Sequence, residues 1–282
     1  MNTPMTIAVA SGKGGTGKTT VATSLAAFLA RRGRRAQYVD CDVEEPNGHI
    51  FLKPDITDSR PVTVPVPQVG TGKCDGCGRC GQFCRFNAIV AINRTVITFD
   101  QLCHSCGGCV RVCPHGAIRE RPVEIGRIES GTADGLQFTQ GRLNIGSVRT
   151  PSLIRTLRHG LDPALVAVLD APPGTSCPVV ACVRDVDYVL LVTEPTPFGL
   201  HDLKLAAAMV QQLRRPPAVI VNRSGLGDQR THAWCREHSI EILAEIPDDR
   251  RIAEAYSRGR ILIDAVPEYE ALFARIAERL SV

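Results

Sequence analysis

The sequence predicts an α/β protein built on a doubly wound, mostly parallel sheet with a small α+β domain inserted into it. The chain opens with a buried strand at Ile7–Ala10, a glycine-rich loop and a helix, which is how a βαβ unit begins. A cysteine-rich segment, Cys74–Cys113, interrupts the strand and helix pattern. We therefore expect a main domain of residues 1–60 and 123–282 and an inserted domain of residues 61–122.

The glycine-rich loop fits the pattern G-x-x-x-x-G-K-[ST] of a phosphate-binding loop. Its glycines let backbone N–H groups point at an anion, and the next helix adds its positive end. We expect Lys18 to reach the β- and γ-phosphates and the Thr19 hydroxyl to bind Mg²⁺. An ordinary βα turn is the alternative, but the full pattern lies between a strand and a helix. The predicted nucleotide-binding residues are Gly12, Lys13, Gly14, Gly15, Thr16, Gly17, Lys18, Thr19 and Thr20.

Lys13 places a second lysine inside this loop. The string Lys-Gly-Gly-Thr-Gly-Lys-Thr-Thr resembles the deviant Walker A motif of the MinD/ParA/nitrogenase-iron-protein group. In that group the extra lysine reaches across a dimer interface to the partner's nucleotide. The resemblance therefore implies a homodimer that closes around two ATP molecules, with Lys13 and Lys18 in catalytic roles.

Two acids follow the next predicted strand. Val21–Arg31 has the apolar periodicity of a helix, and Ala36–Val39 is a short strand that delivers Asp40 and Asp42 to its carboxyl end, where ligands bind in open parallel sheets. The resemblance implies that Asp42 orients the attacking water and that Asp40 supports the magnesium shell. Capping of the next turn is the alternative role for both acids.

Thr63–Gln68 is expected to be a linker or an edge strand, because proline cannot donate to a central sheet ladder. Two cysteine runs follow, each spaced C-x2-C-x2-C-x3-C and repeated 29 residues apart. Each run matches the bacterial ferredoxin motif, in which the fourth cysteine binds the other cluster. A pair of structural zinc sites is the alternative, but it leaves the regular third and fourth cysteines unexplained. The expected ligands are Cys74, Cys77, Cys80 and Cys113 for one [4Fe–4S] cluster, and Cys103, Cys106, Cys109 and Cys84 for the other.

Between and after the cysteine runs the pattern favours short strands. Ala91–Phe99 alternates as a small strand pair, and residues 123–149 are expected to form a β-hairpin that returns the chain to the main domain. Ser152–His159 is a predicted helix. Leu165–Leu169 is a buried strand that ends in Asp170, the Walker B arrangement in which an aspartate holds Mg²⁺. The string Asp-Ala-Pro-Pro-Gly-Thr resembles the second switch of the MinD-like ATPases, and a helix N-cap is the alternative for its aspartate.

Four cysteines lie outside the two runs. Cys177 and Cys182 follow the second switch among small apolar residues, and we expect them to be buried packing residues. Contact with a partner's cluster is the alternative for these two. Cys41 and Cys235 are expected to be structural and without a companion cysteine.

The last third of the chain continues the alternation of strands and helices. Asn222 ends one of these strands, and the resemblance implies contact with the adenine base; a turn residue is the alternative. The final helix has one apolar side and a mixed polar side without a basic stripe, so it is expected to pack on the domain rather than on a membrane. The predicted strands are Tyr188–Thr193, Ala218–Val221 and Ile240–Ile246, and the predicted helices are Leu200–Leu213 and Tyr269–Leu280.

Composition narrows the function classes. The 282 residues carry a net charge of +4, and the basic residues are scattered, so no nucleic-acid partner is expected. The N-terminus has no signal-peptide pattern and no stretch of about 18 apolar residues occurs, so we expect a cytoplasmic protein and no membrane partner. In a reducing compartment, the concentration of eight of the twelve cysteines between Cys74 and Cys113 favours metal binding over disulfides.

Nearly the whole chain resembles the MinD/Mrp-type ATPases with an inserted two-cluster ferredoxin domain. The resemblance implies an ATPase, slow and stimulated by a partner. In this family the γ-phosphate and Mg²⁺ hold switch loops that relax on hydrolysis, and the cysteine segment begins shortly after the first of these, which includes Glu44–Asn47. We therefore expect nucleotide state to be coupled to electron transfer through two [4Fe–4S] clusters. ATP, Mg²⁺ and the two clusters are the expected cofactors. A second copy of the chain and a redox or iron–sulfur protein are the expected partners. An iron–sulfur cluster carrier or assembly ATPase is the alternative function, and a MinD/ParA-like positioning ATPase is a further one.

Overall fold

The chain divides into two compact units. A computed structural model describes residues 5–70 and 72–282. The first unit comprises residues up to Ser59 together with Ile128–Arg142 and Ile154–Val282, and the second comprises Arg60–Arg127 and Leu143–Leu153.

Strands and helices alternate through most of the chain. The strands are β1 (Thr6–Ala10), β2 (Ala36–Asp40), β3 (Asp55–Val69), β4 (Ile89–Ile92), β5 (Thr95–Thr98), β6 (Ile118–Ala133), β7 (Leu136–Leu143), β8 (Val166–Asp170), β9 (Tyr188–Thr193), β10 (Pro217–Ser224) and β11 (Glu241–Pro247). The helices are α1 (Lys18–Arg31), α2 (Gly48–Leu52), α3 (Arg79–Phe83), α4 (Gly108–Val112), α5 (Thr150–His159), α6 (Cys177–Val183), α7 (Pro197–Gln212), α8 (Arg230–Glu237), α9 (Arg250–Ser257), α10 (Leu262–Ala265) and α11 (Glu270–Arg279), with 3-10 turns at Asp100–Leu102 and Pro267–Tyr269.

The predicted mostly parallel sheet is confirmed. Within the described residues it has nine strands in the order β11-β10-β9-β1-β8-β2-β7-β6-β3. β1 lies between β8 and β9 and is parallel to both, and β2 is parallel to β8 and β7. Every residue of β1 and β2 is buried, as expected for central strands covered on both faces. The carboxyl ends of β1, β2 and β8 therefore lie together at one edge, which is where the loops of the predicted nucleotide site begin.

Two expectations about individual elements are decided by the sheet. β3 is a strand of 15 residues in spite of its prolines, because it is the last strand in the sheet order and an edge strand needs fewer N–H donors. β6 and β7 are sheet neighbours joined by the turn Asp134–Gly135, which confirms the β-hairpin, although β6 begins earlier than expected.

The 29-residue repeat of the second unit is visible in its backbone. Helix α4 repeats α3 with a shift of 29 residues, and β4 and β5 form the expected antiparallel pair. Residues in the left-handed region also recur at this interval, where glycine is favoured. These pairs are Gly76 and Ser105, Gly78 and Gly107, and Asn87 and Gly116.

The terminal helix α11 packs on the first unit as expected. Its apolar side chains Leu272, Phe273 and Ile276 are buried in the main core cluster. Among residues 5–70 and 72–282, none of the helices is long and apolar enough to cross a membrane.

Candidate nucleotide site and cysteine cavities

The predicted phosphate-binding loop connects β1 to α1, and close backbone packing requires its glycines. A Cβ on Gly12 would collide with the Asp202 backbone. Gly17 has a φ of 95° and would collide through a Cβ with the side chain of Asn222. A larger residue at either position would push the loop away from its neighbours, so the sequence pattern has a local steric cause.

A cavity of about 640 Å³ opens beside this loop. It is of the size that small-molecule ligands occupy. The predicted residues Lys18, Thr19, Thr20, Asp42 and Asn222 line it. Lys13, Asp40 and Asp170 are not among the residues that line this cavity. Its other lining residues are Gly14, Gly15, Gly17, Glu45, Asn47, Pro173, Arg223, Leu226, Pro247, Asp248, Asp249, Arg250, Ile252, Ala253 and Tyr256.

Asp40 is buried and holds the loop that follows β2. One carboxylate oxygen accepts the backbone N–H of Asp42 at 3.1 Å, and the other accepts those of Asn47 and Gly48 at 3.0 and 2.9 Å. Burial, with the nearby Asp170 carboxylate, raises the pKa of Asp40 well above its usual range. The contacts present give Asp40 a role in fixing the loop that carries Asp42, while its predicted place in a magnesium shell stays a prediction.

Asp170 is the buried carboxylate that best fits a magnesium site. Its Oδ2 accepts the Tyr38 hydroxyl at 3.0 Å, whereas its buried Oδ1 has no hydrogen-bond partner in the described chain. Burial raises the pKa of Asp170, while the charge of Lys18 and the neighbouring Thr19 hydroxyl lower it. An unpaired buried carboxylate oxygen beside the predicted hydroxyl ligand Thr19 fits a hard cation such as Mg²⁺.

Asp42 lies at the cavity wall in a partly desolvated position. Burial raises its pKa to about 6; the charge of Lys18 lowers it, and the Asp170 carboxylate raises it. At neutral pH the carboxylate form is therefore present but close to its titration range. A carboxylate in this state can accept a hydrogen bond from a water molecule.

Lys13 and Asn222 make contacts that the sequence does not reveal. The Lys13 Nζ lies 3.2 Å from Glu194, whose other oxygen lies 2.9 Å from the Arg223 guanidinium. The Asn222 Nδ2 donates to the Thr16 carbonyl at 2.8 Å, so Asn222 braces the loop as well as lining the cavity. The position of Glu194 directly after β9 is the one signal that could have pointed to it.

The eight cysteines of the repeat line two cavities within the second unit. Cys84, Cys103, Cys106 and Cys109 line one of about 300 Å³. The other cavity has a much smaller volume of about 10 Å³ and is lined by Cys74, Cys77, Cys80 and Cys113. These are the two ligand sets that the spacing predicts. In each set one sulfur accepts a backbone N–H at 3.3 Å, from Ser105 to Cys103 and from Ala117 to Cys113.

Each cavity has four thiols in its lining, which is the donor set that a [4Fe–4S] cluster requires. In the described chain, no three His, Cys, Asp or Glu side chains converge closely enough to hold one metal ion. A [4Fe–4S] cluster does not require such convergence, because each thiolate binds a different iron and the sulfurs stay apart. Burial raises the pKa of the Cys109 thiol to about 11, so a bound iron must displace its proton.

A buried arginine supports one of the cysteine loops. Arg149 is 5% exposed, its Nε donates to the Cys103 carbonyl at 2.8 Å, and its Nη2 donates to the Asp100 carbonyl. Arg121 pairs with the Asp100 carboxylate. Sequence reasoning missed Arg149, because 46 residues separate it from Cys103.

The expectation that Cys41 has no companion cysteine is wrong. The Cys41 thiol interacts with that of Cys182, and this contact and burial raise the Cys41 pKa well above its usual range. Cys41 follows β2 and Cys182 lies on α6, so the segments that follow β2 and β8 meet there. Cys182 is buried as expected, Cys177 is exposed against expectation, and Cys235 is buried.

Comparison with known proteins agrees with the fold and with a nucleotide-binding domain. A family model described as "CobQ/CobB/MinD/ParA nucleotide binding domain" matches residues 7–263. An uncharacterized protein of Methanocaldococcus jannaschii is 31% identical over 92% of this chain and 91% of its own length. An iron-sulfur cluster carrier protein of the same organism is 24% identical over 97% of this chain and 84% of its own. The structure of the septum site-determining protein MinD complexed with Mg-ADP from Pyrococcus horikoshii aligns with a TM-score of 0.60 at 20% identity, covering 98% and 96% of the two chains.

Proposed function

Because the chain belongs to the CobQ/CobB/MinD/ParA nucleotide-binding family, we propose that it is an ATPase whose nucleotide state controls two [4Fe–4S] clusters. We further propose that the second unit contains the predicted inserted ferredoxin-like domain of residues 61–122, and that its eight cysteines bind the clusters. The observation that carries the proposal is the grouping of these cysteines into two four-thiol cavities in a chain that also has a phosphate-binding loop.

ATP hydrolysis follows from the side chains around the larger cavity. The loop N–H groups and Lys18 bind the phosphates and neutralise their charge. Thr19 and Asp170 would hold Mg²⁺, which supplies further charge neutralisation when it is bound. Asp42 accepts a hydrogen bond from water and orients it toward the γ-phosphate. No covalent group on the protein is needed, because positioning and charge stabilisation suffice for phosphoryl transfer.

Lys13 is the residue that points to a homodimer. In the single chain its charge is paired with Glu194, away from the lining of the nucleotide cavity. We propose that closure of a homodimer on ATP transfers Lys13 to the partner's nucleotide. The deviant loop pattern supports this step, and a partner-stimulated rate fits a lysine that must first leave an ion pair.

The proposed clusters have two candidate uses, which are delivery to another protein and electron transfer. Relatives named iron-sulfur cluster carrier proteins favour delivery of a cluster to an acceptor protein, with ATP controlling release. Electron transfer is the second candidate, and a specific observation favours it: each ligand set has four thiols and a backbone N–H donated to one of its sulfurs. Complete thiolate sets and N–H donors of this kind tune the potential of a resident cluster.

An anaerobic preparation tests both levels of the proposal. We expect eight irons and eight sulfides per chain and an ATPase activity that Lys18→Ala abolishes. Incubation with an iron-free [4Fe–4S] acceptor protein then separates the two uses of the clusters. Iron transfer that requires ATP supports delivery, whereas full retention of iron with a nucleotide-dependent shift in the EPR spectrum supports electron transfer. Zinc in place of iron, or no ATPase activity in dimeric protein, would refute the proposal.

A further inference from the structure

The two cysteine cavities are related by the repeat but differ at their openings. This inference rests on the proposed function, since it concerns the surface around the cluster ligands. In each ligand set the second cysteine of its run is the exposed one: Cys77 in one set and Cys106 in the other. An approaching protein would come closest to the ligands at these two cysteines.

Equivalent positions at the two openings have different chemistry. Beside Cys77, His115 and Asp75 are joined by a hydrogen bond of 3.0 Å. The residues 29 positions away from them, Phe86 and His104, form a ring stack beside Cys106 with centroids 3.8 Å apart. The repeat therefore places a hydrogen-bonded histidine and aspartate at one opening and a stacked aromatic pair at the other. The two openings thus offer different contacts to an approaching protein.

The Cys106 opening also exposes more apolar surface. Phe83 and Phe86 both line this cavity, and they are 49% and 44% exposed. None of the described residues that line the other cavity is an exposed phenylalanine, leucine, isoleucine or valine. Exposed aromatic rings that are grouped at the rim of a site often mark a surface that binds another molecule.

The charge of the second unit indicates the chemistry of the partner. Residues 60–127 and 143–153 carry ten Lys and Arg side chains against four Asp and Glu, while the rest of the chain carries 23 against 25. The excess of positive charge thus belongs to the unit that holds the cysteines. Arg85 lines the Cys106 cavity together with Glu120, and Arg79 lines the Cys77 cavity, so the positive charge of the unit as a whole, more than the cavity walls, favours an acidic partner.

From these observations we infer that the rim formed by Phe83, Arg85, Phe86 and His104, here called the Phe86 surface, is a docking site for an acidic iron–sulfur acceptor protein. The exposed rings supply apolar contact at the centre, and the surrounding positive charge steers and orients the acidic partner. Delivery or electron transfer then takes place at the Cys106 opening rather than at the Cys77 opening.

The test measures binding of a small acidic [4Fe–4S] ferredoxin to the full-length protein after its eight irons have been counted. We expect Phe86→Ala and Arg85→Glu each to weaken binding about tenfold, with iron content unchanged. The matched control is Arg94→Glu, which makes the same charge change at an exposed residue whose backbone lies beside Gly76 at the other opening; we expect less than about a twofold effect. Binding should also weaken between about 0.05 and about 0.5 M salt.

The outcomes separate the docking surface from the proposed function. Missing iron in the wild-type protein would refute the cluster proposal and, with it, this one. With eight irons present, equal losses of affinity in Arg85→Glu and Arg94→Glu would refute the Phe86 surface, because only the charge of the unit would then matter. Wild-type affinity in Phe86→Ala would also refute it. Tighter binding of duplex DNA that displaces the ferredoxin would replace the protein partner by a nucleic acid.

Discussion

The Asp42 carboxyl lies in surroundings that favour its protonated form. Its pKa of about 6 is above the ordinary value of about 3.9, so the carboxylate proposed to orient water is lost as the pH falls through about 6. We expect kcat/KM for ATP to fall on the acid side of about pH 6 in the wild-type protein. A pH profile of the ATPase, measured with Asp42→Asn alongside, checks this.

The ionised Asp42 carboxylate should lower the stability of the fold at neutral pH while it supports ATPase activity. Because a raised carboxyl pKa means that folding disfavours the ionised form, stability attributable to Asp42 is greatest at low pH and is lost as the pH rises from about 4 to about 6. Asp42→Asn should therefore have a higher melting temperature than wild type at pH 7 and a much lower ATPase rate. An unchanged melting temperature together with an unchanged pH profile would contradict the assigned environment.

Arg149 gives a second prediction at the residue scale. Arg149→Met leaves the Cys103 carbonyl without its donor, while the Asp100 carbonyl keeps only the Cys103 N–H. An unpaired buried acceptor costs about 1–3 kcal/mol. We expect the variant to lose the four irons proposed for the Cys84, Cys103, Cys106 and Cys109 set and to retain the other four. Iron analysis checks this, and Arg119→Met, at an exposed position of the same unit, is the control. Loss of all eight irons, or of none, would contradict the selective role of Arg149.

The residue scale is also where the sequence predicts least. Motif spacing identified Lys18, Thr19, Asp42 and Asn222, and all four line the nucleotide cavity. It could not identify contacts between residues far apart in the chain, such as Tyr38 with Asp170, which are 132 positions apart. Motifs describe one segment at a time, whereas these contacts exist only after the sheet has brought its strand ends together.

At the scale of elements, the cysteine repeat can be tested through its turns. Ser105 and Gly76 occupy equivalent positions and both have positive φ, which costs a non-glycine residue about 1–2 kcal/mol. The Ser105 hydroxyl is also buried without a hydrogen-bond partner in the part of the chain that the structure describes. We expect Ser105→Gly to stabilise the cluster-loaded protein by about 1 kcal/mol, measured as the free energy of unfolding.

The reverse change at the equivalent position is the matched control. Gly76→Ser should destabilise the second unit, because its Cβ would collide with the Arg94 backbone. If both substitutions had effects of the same sign, the structural equivalence of the two turns would be refuted. The pair therefore tests the duplication without relying on ATPase activity.

Elements with a clear period were the ones predicted well. β9 lies at the expected residues, and α1 and α11 differ from expectation only near their ends. The short helices α2, α6 and α9 were not predicted, because five to eight residues are too few to show a helical period and such helices depend on packing. The prolines of β3 are compatible with both an edge strand and a linker, so the sequence could not distinguish the two. The position of β3 at the edge of the sheet shows that it is a strand.

At the scale of the whole molecule, each unit has its own apolar cluster. The main cluster joins α1, α11 and the central strands, while small clusters around Cys80 and Cys103 lie in the second unit. Because these apolar clusters are small, apolar burial alone gives the second unit little stability. Bound iron–sulfur clusters would therefore supply part of the stability of its fold. The first unit has no such dependence, which makes the two sites separable by mutation.

This separability leads to a prediction about coupling. Lys18→Ala should retain eight irons and lose ATPase activity, whereas Cys106→Ala should lose the irons of its set and still bind ATP. If nucleotide state controls the clusters, neither variant alone should support an ATP-dependent change at the cluster of the Cys106 set. A mixture of the two variants should not restore that change when both sites are needed in one chain. Iron release and EPR spectra with and without ATP check this. Wild-type response to ATP in Lys18→Ala would show that the clusters respond to another signal, because that variant removes the cation proposed to bind the phosphates and leaves the cysteines unchanged.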